Sequence, residues 1–222
     1  MNQRCWRLLL FAACIALVAL AVPPNAVALD LNGIKITPSF AYTGEYDDNI
    51  YRTQFDKRTD YVNTFSPGIA IEATPDKHVI KAGYKADILK YTTHTNFDTY
   101  RHHADLMGIF KFNRLELRLK EDFRRTDDFP TSELTKRVKR NENFLSGGAD
   151  YDVIERWGVG FDFTWGNINN LQSDFDYLDR NTYTYATNVY YRITAKTRVF
   201  AEYDFVREIF DFDKTRVLAV MR

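Results

Sequence analysis

Alternation with period two recurs from residue 34 to residue 205, and it constrains the fold more than any other feature of the chain. Successive side chains of a strand point to opposite faces, so apolar residues two apart define one surface. Ile34, Ile36, Phe40 and Tyr42 share such a face against Lys35, Thr37, Ser39, Thr43 and Glu45, and Tyr61, Phe65, Ile69 and Ile71 oppose Asp60, Thr64, Ser66 and Glu72. Ile80, Ala82, Tyr84, Ala86 and Ile88 continue the pattern, followed by Ala104, Leu106, Phe110 and Phe112, then Leu115, Leu117, Leu119 and Phe123. Two glycines, Gly147 and Gly148, dilute it between Leu145 and Val153 before Trp157, Val159, Phe161, Phe163 and Trp165 restore it. Two more segments carry Tyr183, Tyr185, Val189, Tyr191 and Ile193, then Val199, Ala201, Tyr203 and Phe205. Helical spacing is not sustained. The chain is therefore all-β, with about nine strands of around ten residues or more.

Strand length separates two kinds of β-protein. Strands of soluble domains are mostly about five or six residues long, whereas a tilted strand crossing a bilayer needs roughly nine to eleven. The connections sort in the same sense. Short links, TPDK, FNR, IER and TAKT, alternate with long ones at about 47–59, 92–101, 125–141 and 167–181, as tight periplasmic turns alternate with larger external loops in outer-membrane barrels. The expected architecture is an antiparallel up-and-down transmembrane β-barrel.

The N-terminus agrees with export. Arg4 and Arg7 precede an apolar run from Leu8 to Val22, which Pro23 and Pro24 break before Ala26-Val27-Ala28. This is the pattern of a cleavable signal peptide over 1–28, too short for a spanning helix, and it leaves a barrel domain over 29–222. Cleavage removes Cys5 and Cys14, the two cysteines of the chain, and with them any disulfide or thiol chemistry. It also removes two of the thirty basic residues and none of the thirty acids, leaving a net charge of −2 and no basic excess to hold nucleic acid. With the mature N-terminus in the periplasm, the first strand climbs outward, and EYDDNIYRT, residues 45–53, falls at the external rim.

In hydrocarbon a β-protein must close on itself to pair its backbone, so one face of each strand meets lipid. The apolar faces above are read as free of charge in mid-strand, where a basic residue would cost about 2–4 kcal/mol. Tyr42, Tyr61, Tyr91, Phe123, Trp157, Trp165 and Tyr183 stand near strand ends and fit two interfacial girdles. The opposite face supplies the pore-lining candidates Lys81, Lys85, Asp87, Asp105, Lys111, Glu116, Arg118, Lys120, Asp122, Arg124, Asp162, Arg192, Arg198, Glu202 and Asp204. Their mixed signs suit a hydrophilic pore wall, or alternatively a salt-bridged interior that conducts nothing. A soluble ligand-binding barrel would invert the two faces; strand length and loop sorting argue against it.

Catalytic and metal motifs are not expected. His78 falls in a short turn and His94, His102 and His103 around the second long loop, with no serine-centred motif or HExxH beside them. Asp98, Asp127 and Asp128 lie in long loops. Asp47, Asp48 and Asn49 offer hard oxygen ligands to a divalent ion, but their spacing is not that of a calcium loop, and Asx-type hydrogen bonds closing a tight loop are the plainer reading. No cofactor or resident metal is called for. The segment TKRVKR, with Lys136, Arg137, Lys139 and Arg140, offers phosphate contacts to lipopolysaccharide or is simply a solvated charged loop.

The string YDDNIYRT, followed by TDYVNTFSPGIAIEA, KAGYKADILKY and a later short-turn hairpin, resembles the outer-membrane porins of the β-barrel porin 2 type of Gram-negative bacteria. Tyr46, Asp48, Asn49, Tyr51, Arg52 and Thr53 carry the external rim motif, and Asp60, Pro67 and Gly68 match in the second strand. The resemblance implies a porin-like pore in the outer membrane, through which solutes diffuse under selection by charge. It also implies a link to extracellular-polysaccharide export, with lipid, lipopolysaccharide, polysaccharide or small solutes and export components as partners. A non-conducting structural or adhesive barrel working through its external loops is the runner-up. Relatives of this type are usually longer and end on a strand with a terminal aromatic residue. The close at DKTRVLAVMR is therefore expected to mark a truncated member, or a last strand beyond the nine.

Overall fold

The structure is a computed structural model that describes residues 28–129, 137–194, 196–211 and 217–221; the signal peptide expected over 1–28 lies outside them but for Ala28. The described residues form one antiparallel sheet in which every strand pairs with its neighbours in sequence: β1 (Leu29–Leu31), β2 (Ile34–Asp47), β3 (Asp60–Ala73), β4 (Val79–Tyr91), β5 (Thr99–Lys111), β6 (Leu115–Thr126), β7 (Arg140–Asp152), β8 (Trp157–Asn170), β9 (Arg180–Arg192), β10 (Arg198–Phe210) and β11 (Val217–Met221). Nine of them, β2 to β10, run 12 to 14 residues. Those are the nine long segments of the alternating pattern.

Two short strands escape that pattern. The hairpin of β1 and β2 turns on Asn32 and Gly33, at φ of 54° and 85°, the pair of left-handed residues that a two-residue type I′ turn demands. β11 runs antiparallel to β10. Among the described residues neither β1 nor β2 pairs with β10 or β11, so the sheet is open along those edges.

The rim strand ends also extend further than alternation indicates. The loop expected at 167–181 shrinks to 171–179, because Asn167 pairs with Asn181 and Ile168 with Arg180 in the ladder; likewise 125–141 shrinks to 127–139. Backbone pairing does not need apolar side chains, so these polar rungs carry no periodic signal. In the opposite sense Phe112 falls beyond the end of β5, in the turn.

Register fixes which side chains share a face. Phe40 lies beside Pro67, Tyr42 beside Phe65 and Ile71 beside Ala82, joining one apolar face across strands. This face is left largely exposed, with Tyr42 58% and Tyr61 60% accessible. Two expectations about it fail. Tyr91 stands on the charged face, only 4% accessible, because it pairs with Val62 and not with a girdle residue. Glu121 stands on the apolar face between Leu119 and Phe123, opposite Leu106 and Leu145; that face is not free of charge in mid-strand.

Candidate functional site: the charged face and its mouth

All of the predicted pore-lining residues lie on one face, opposite the apolar one. Lys81 pairs with Glu72 at 3.1 Å and Lys85 with Asp87 at 3.1 Å, and the Ser66 hydroxyl donates to Asp87. Asp122 holds Arg124 at 2.8 Å and His103 at 3.3 Å; Lys111 approaches Glu116 at 3.9 Å. Asp105 lies over Gly83. Lys120, Glu202 and Asp204 stand on the same face without an ion pair among the described residues.

Side chains on this face also meet across an intervening strand. Arg118 of β6 donates to Asp150 of β7 and, passing over Gly148, to Asp162 of β8 at 3.0 Å. Tyr190 of β9 passes over Gly158 of β8 and donates to Asp152 of β7 at 2.6 Å, while Arg192 pairs with the same carboxylate at 2.8 Å. A Cβ on either glycine would collide with the side chain above it. Each of these contacts crosses an intervening strand where a glycine leaves room for it. These groups border a cavity of about 390 Å³ at the short-turn end, lined by Lys111, Glu116, Arg118, Asp150, Asp152 and Arg192 among others. The wall therefore presents paired charges of both signs to water. Asp150, Asp152 and Tyr190 were not singled out from the sequence; glycines on the charged parity of adjacent strands were the available signal.

The long-loop end is built differently. Strands of 12 to 14 residues, at about 3.3 Å each and tilted by about 40°, rise roughly 30–35 Å, more than the ~25 Å apolar band of an outer-membrane barrel. An apolar band of that height centred on the strands would leave the terminal residues at both ends clear of hydrocarbon. At the long-loop end the charged face turns apolar: Val62, Leu89 and Tyr91 are buried beneath Ile50, which is 2% accessible, with Phe97 packed alongside. Ile50 belongs to the rim motif, and the motif's other residues explain how it gets there. Asp47 accepts from the Asn49 N–H at 2.8 Å. The Asn49 side chain donates to the Thr53 carbonyl at 2.9 Å and accepts from the Thr53 N–H at 3.2 Å. This brace folds residues 49–53 inward, with Arg52 at φ 51°. Tyr46 remains on the apolar face against Tyr61, Asp48 is exposed, Tyr51 meets Phe97 and His94 edge-on, and Arg52 covers the Phe129 ring at 4.2 Å. These are the Asx-type hydrogen bonds expected to close the loop.

Asp60 clamps the next loop. Its carboxylate is fully enclosed and accepts N–H bonds from Tyr61, Thr92, Thr93 and His94, with the His94 ring Nδ1 2.9 Å away. Burial pushes this carboxyl up, but the His94 amide and ring and the neighbouring amides outweigh it and hold the group at about 2. In the same loop, burial raises Asp98 while the Lys90 ammonium and the Tyr91 N–H bring it below the usual carboxylate range. From the third loop, Val138 is fully buried and the Arg137 guanidinium lies 5.3 Å from the Tyr91 ring and 5.8 Å from that of Phe97.

The remaining candidates are dispersed. His78 accepts from the Lys111 N–H; His102 lies on the apolar face beside Tyr84, and His103 on the charged face. Asp127 holds Arg101 at 2.6 Å, and Asp128 holds Arg140 at 2.6 Å. Among the described residues no group of three or more His, Cys, Asp or Glu side chains is arranged to hold a metal ion. Of TKRVKR, Lys136 lies outside the described residues, Arg137 and Arg140 face internal partners, and Lys139 is exposed.

The model of the family described as "Putative beta-barrel porin 2" matches residues 33–144, just over half of the chain and the span from β2 into β7. The chain belongs to this family. The match includes the whole rim motif and the loops it packs against, so the inward fold of residues 49–53 lies within the family-defining part of this porin-family chain. No curated protein and no solved structure matches the chain.

Proposed function

We propose that this β-barrel porin family member is an outer-membrane pore of a Gram-negative bacterium, exported by a cleaved signal peptide, that passes hydrophilic solutes by diffusion along its charged face. The observation that carries this reading is the charged wall of Arg118, Asp150, Asp152, Asp162 and Arg192. It is partly exposed and carries both signs, as the polar interior of a water-filled lumen does. Polysaccharide is among the candidate solutes, with components of an export system as partners. Diffusion of this kind calls for no catalytic group. Spanning a bilayer requires the open edges to be paired there. Single-channel recording of the purified, folded chain in planar bilayers tests the proposal: discrete conductance steps support it, and a silent bilayer with inserted protein overturns it.

A second reading is favoured by the mouth. Ile50 and Val138, both loop residues, are wholly buried at the rim of the charged face. A barrel whose loops are packed inward in this way suits a non-conducting structural or adhesive role, and the silent-bilayer outcome would select it.

A further inference from the structure

A cavity of about 270 Å³ opens at the rim ends of β5 and β6, lined by Tyr100, His102, Arg125 and Lys139 together with Asp98 and Asp127. It is far larger than the ~30 Å³ share of one water, so it admits a group of phosphoryl size. Its two acids are already matched, Asp98 by Lys90 at 2.8 Å and Asp127 by Arg101 at 2.6 Å. Arg125 and Lys139, both exposed, leave an excess of positive charge. The Tyr84 hydroxyl lies 2.8 Å from His102 Nδ1; with that hydroxyl donating, the proton sits on Nε2 and gives the cavity a further N–H donor.

The position of these groups matters as much as their charge. Tyr100, His102 and Arg125 share the apolar face, and His102 and Arg125 are directly paired across β5 and β6. The next rung towards the short-turn end is Tyr84, Ala104 and Phe123, and Ala86 lies opposite His102. Below the cations the exposed apolar face thus continues through Tyr84, Ala104 and Phe123. A cationic cavity above an apolar face fits an amphiphile with an anionic head and acyl chains, not a free solute.

We propose that this cavity binds the phosphoryl headgroup of a phosphorylated glycolipid of the outer leaflet, with Arg125 and Lys139 as the charge contacts, His102 and Tyr100 as further donors and the acyl chains lying over Tyr84, Ala104 and Phe123 on the apolar face. Charge-assisted bonds from guanidinium and ammonium to phosphate are the strong kind. The site rests on the outer-membrane placement proposed above, though not on conduction.

Native mass spectrometry of the full chain in detergent, titrated with diphosphoryl lipid A, tests it. Wild-type protein should retain the lipid, dephosphorylated lipid A should bind at least tenfold more weakly, and R125Q/K139Q should lose at least tenfold in affinity. R58Q, which removes an exposed rim cation paired with Asp56 at 3.2 Å, should bind as wild type does. Equal binding by R125Q/K139Q and wild type overturns the site, as does equal binding of dephosphorylated lipid. Displacement of lipid A by inorganic phosphate at micromolar concentration assigns the cavity to free phosphate and overturns the lipid reading. Bilayer recording on the same samples separates the two proposals. Lipid binding without conductance removes the pore and keeps the site, and conductance with binding unaltered in R125Q/K139Q does the reverse.

Discussion

At the rim, β3 and β4 present Val62, Leu89 and Tyr91 to loops that cover them; at the short-turn end, β6 to β9 present Arg118, Asp150, Asp152 and Asp162 to open water. Both regions lie on one face of one sheet, yet they are held by different physics. The mouth combines apolar burial with an enclosed carboxylate whose lone pairs are taken up by loop amides, so removing a single group exposes unsatisfied partners. The wall is built from half-exposed ion pairs that water and salt screen, so each contributes little to stability and much to the local field. Stability should therefore be sensitive at the mouth, and ion selectivity at the wall.

Asp60→Ala should have the largest effect, on the order of 3–5 kcal/mol, because it leaves the Tyr61, Thr93 and His94 N–H groups and the His94 ring without this acceptor, while Thr92 keeps its bond to the Tyr61 carbonyl. Urea unfolding in detergent micelles measures this, and a loss below about 1 kcal/mol would erase the contrast between mouth and wall. Ile50→Ala follows at about 2–4 kcal/mol, through the cavity left over Val62, Leu89 and Tyr91. Limited proteolysis should then cut within 49–59 sooner than in wild type.

Gly158→Ala should cost about 1–3 kcal/mol by driving the Tyr190 ring off its seat and away from Asp152. If the ring is the cause, G158A adds little in a Y190A background; full additivity would show that the glycine serves the backbone instead. Arg118→Gln should change stability by about 1 kcal/mol or less. It uncovers the charge of Asp150 and Asp162, so the reversal potential in a salt gradient should move towards cation selectivity. No movement would mean that this wall does not line the conducting path.

The smallest effect above pH 5 is the acid response of the mouth. Asp60 is held near 2 against an ordinary 3.8, so the folded chain binds fewer protons than the unfolded one over that interval. The stabilisation is complete above pH 4 and is lost as the pH falls from about 4 through about 2. Hydrogen-exchange protection at Thr92, Thr93 and His94, relative to the intrinsic rate at each pH, should fall across that window in wild type and be insensitive to it in D60A.

Much of the fold was legible because a strand's facing rule is local. The period of two placed the nine long strands, their antiparallel order by loop length, and the whole charged set on one face. Tyr91 and Glu121 were misread in the same local terms: an aromatic near a strand end was assigned to a girdle without checking its parity, and a charge between Leu119 and Phe123 was passed over. The Asn-rich ends of β8 and β9 were lost for another reason, since their polar side chains leave no alternation while their backbones continue to pair. Asn32-Gly33 did carry a hairpin signal, and β1 was within reach of it.

The sequence by itself thus determined the nine long strands, which of their side chains share a face and their antiparallel order, all properties of short segments and their connections. Tertiary structure alone decided that EYDDNIYRT turns inward to bury Ile50, that Arg118 reaches Asp162 across Gly148, and that Arg125 and Lys139 meet at one cavity. Those contacts join residues between 12 and 44 positions apart. They depend on strand register and on where a glycine leaves room, which no periodicity along the chain encodes.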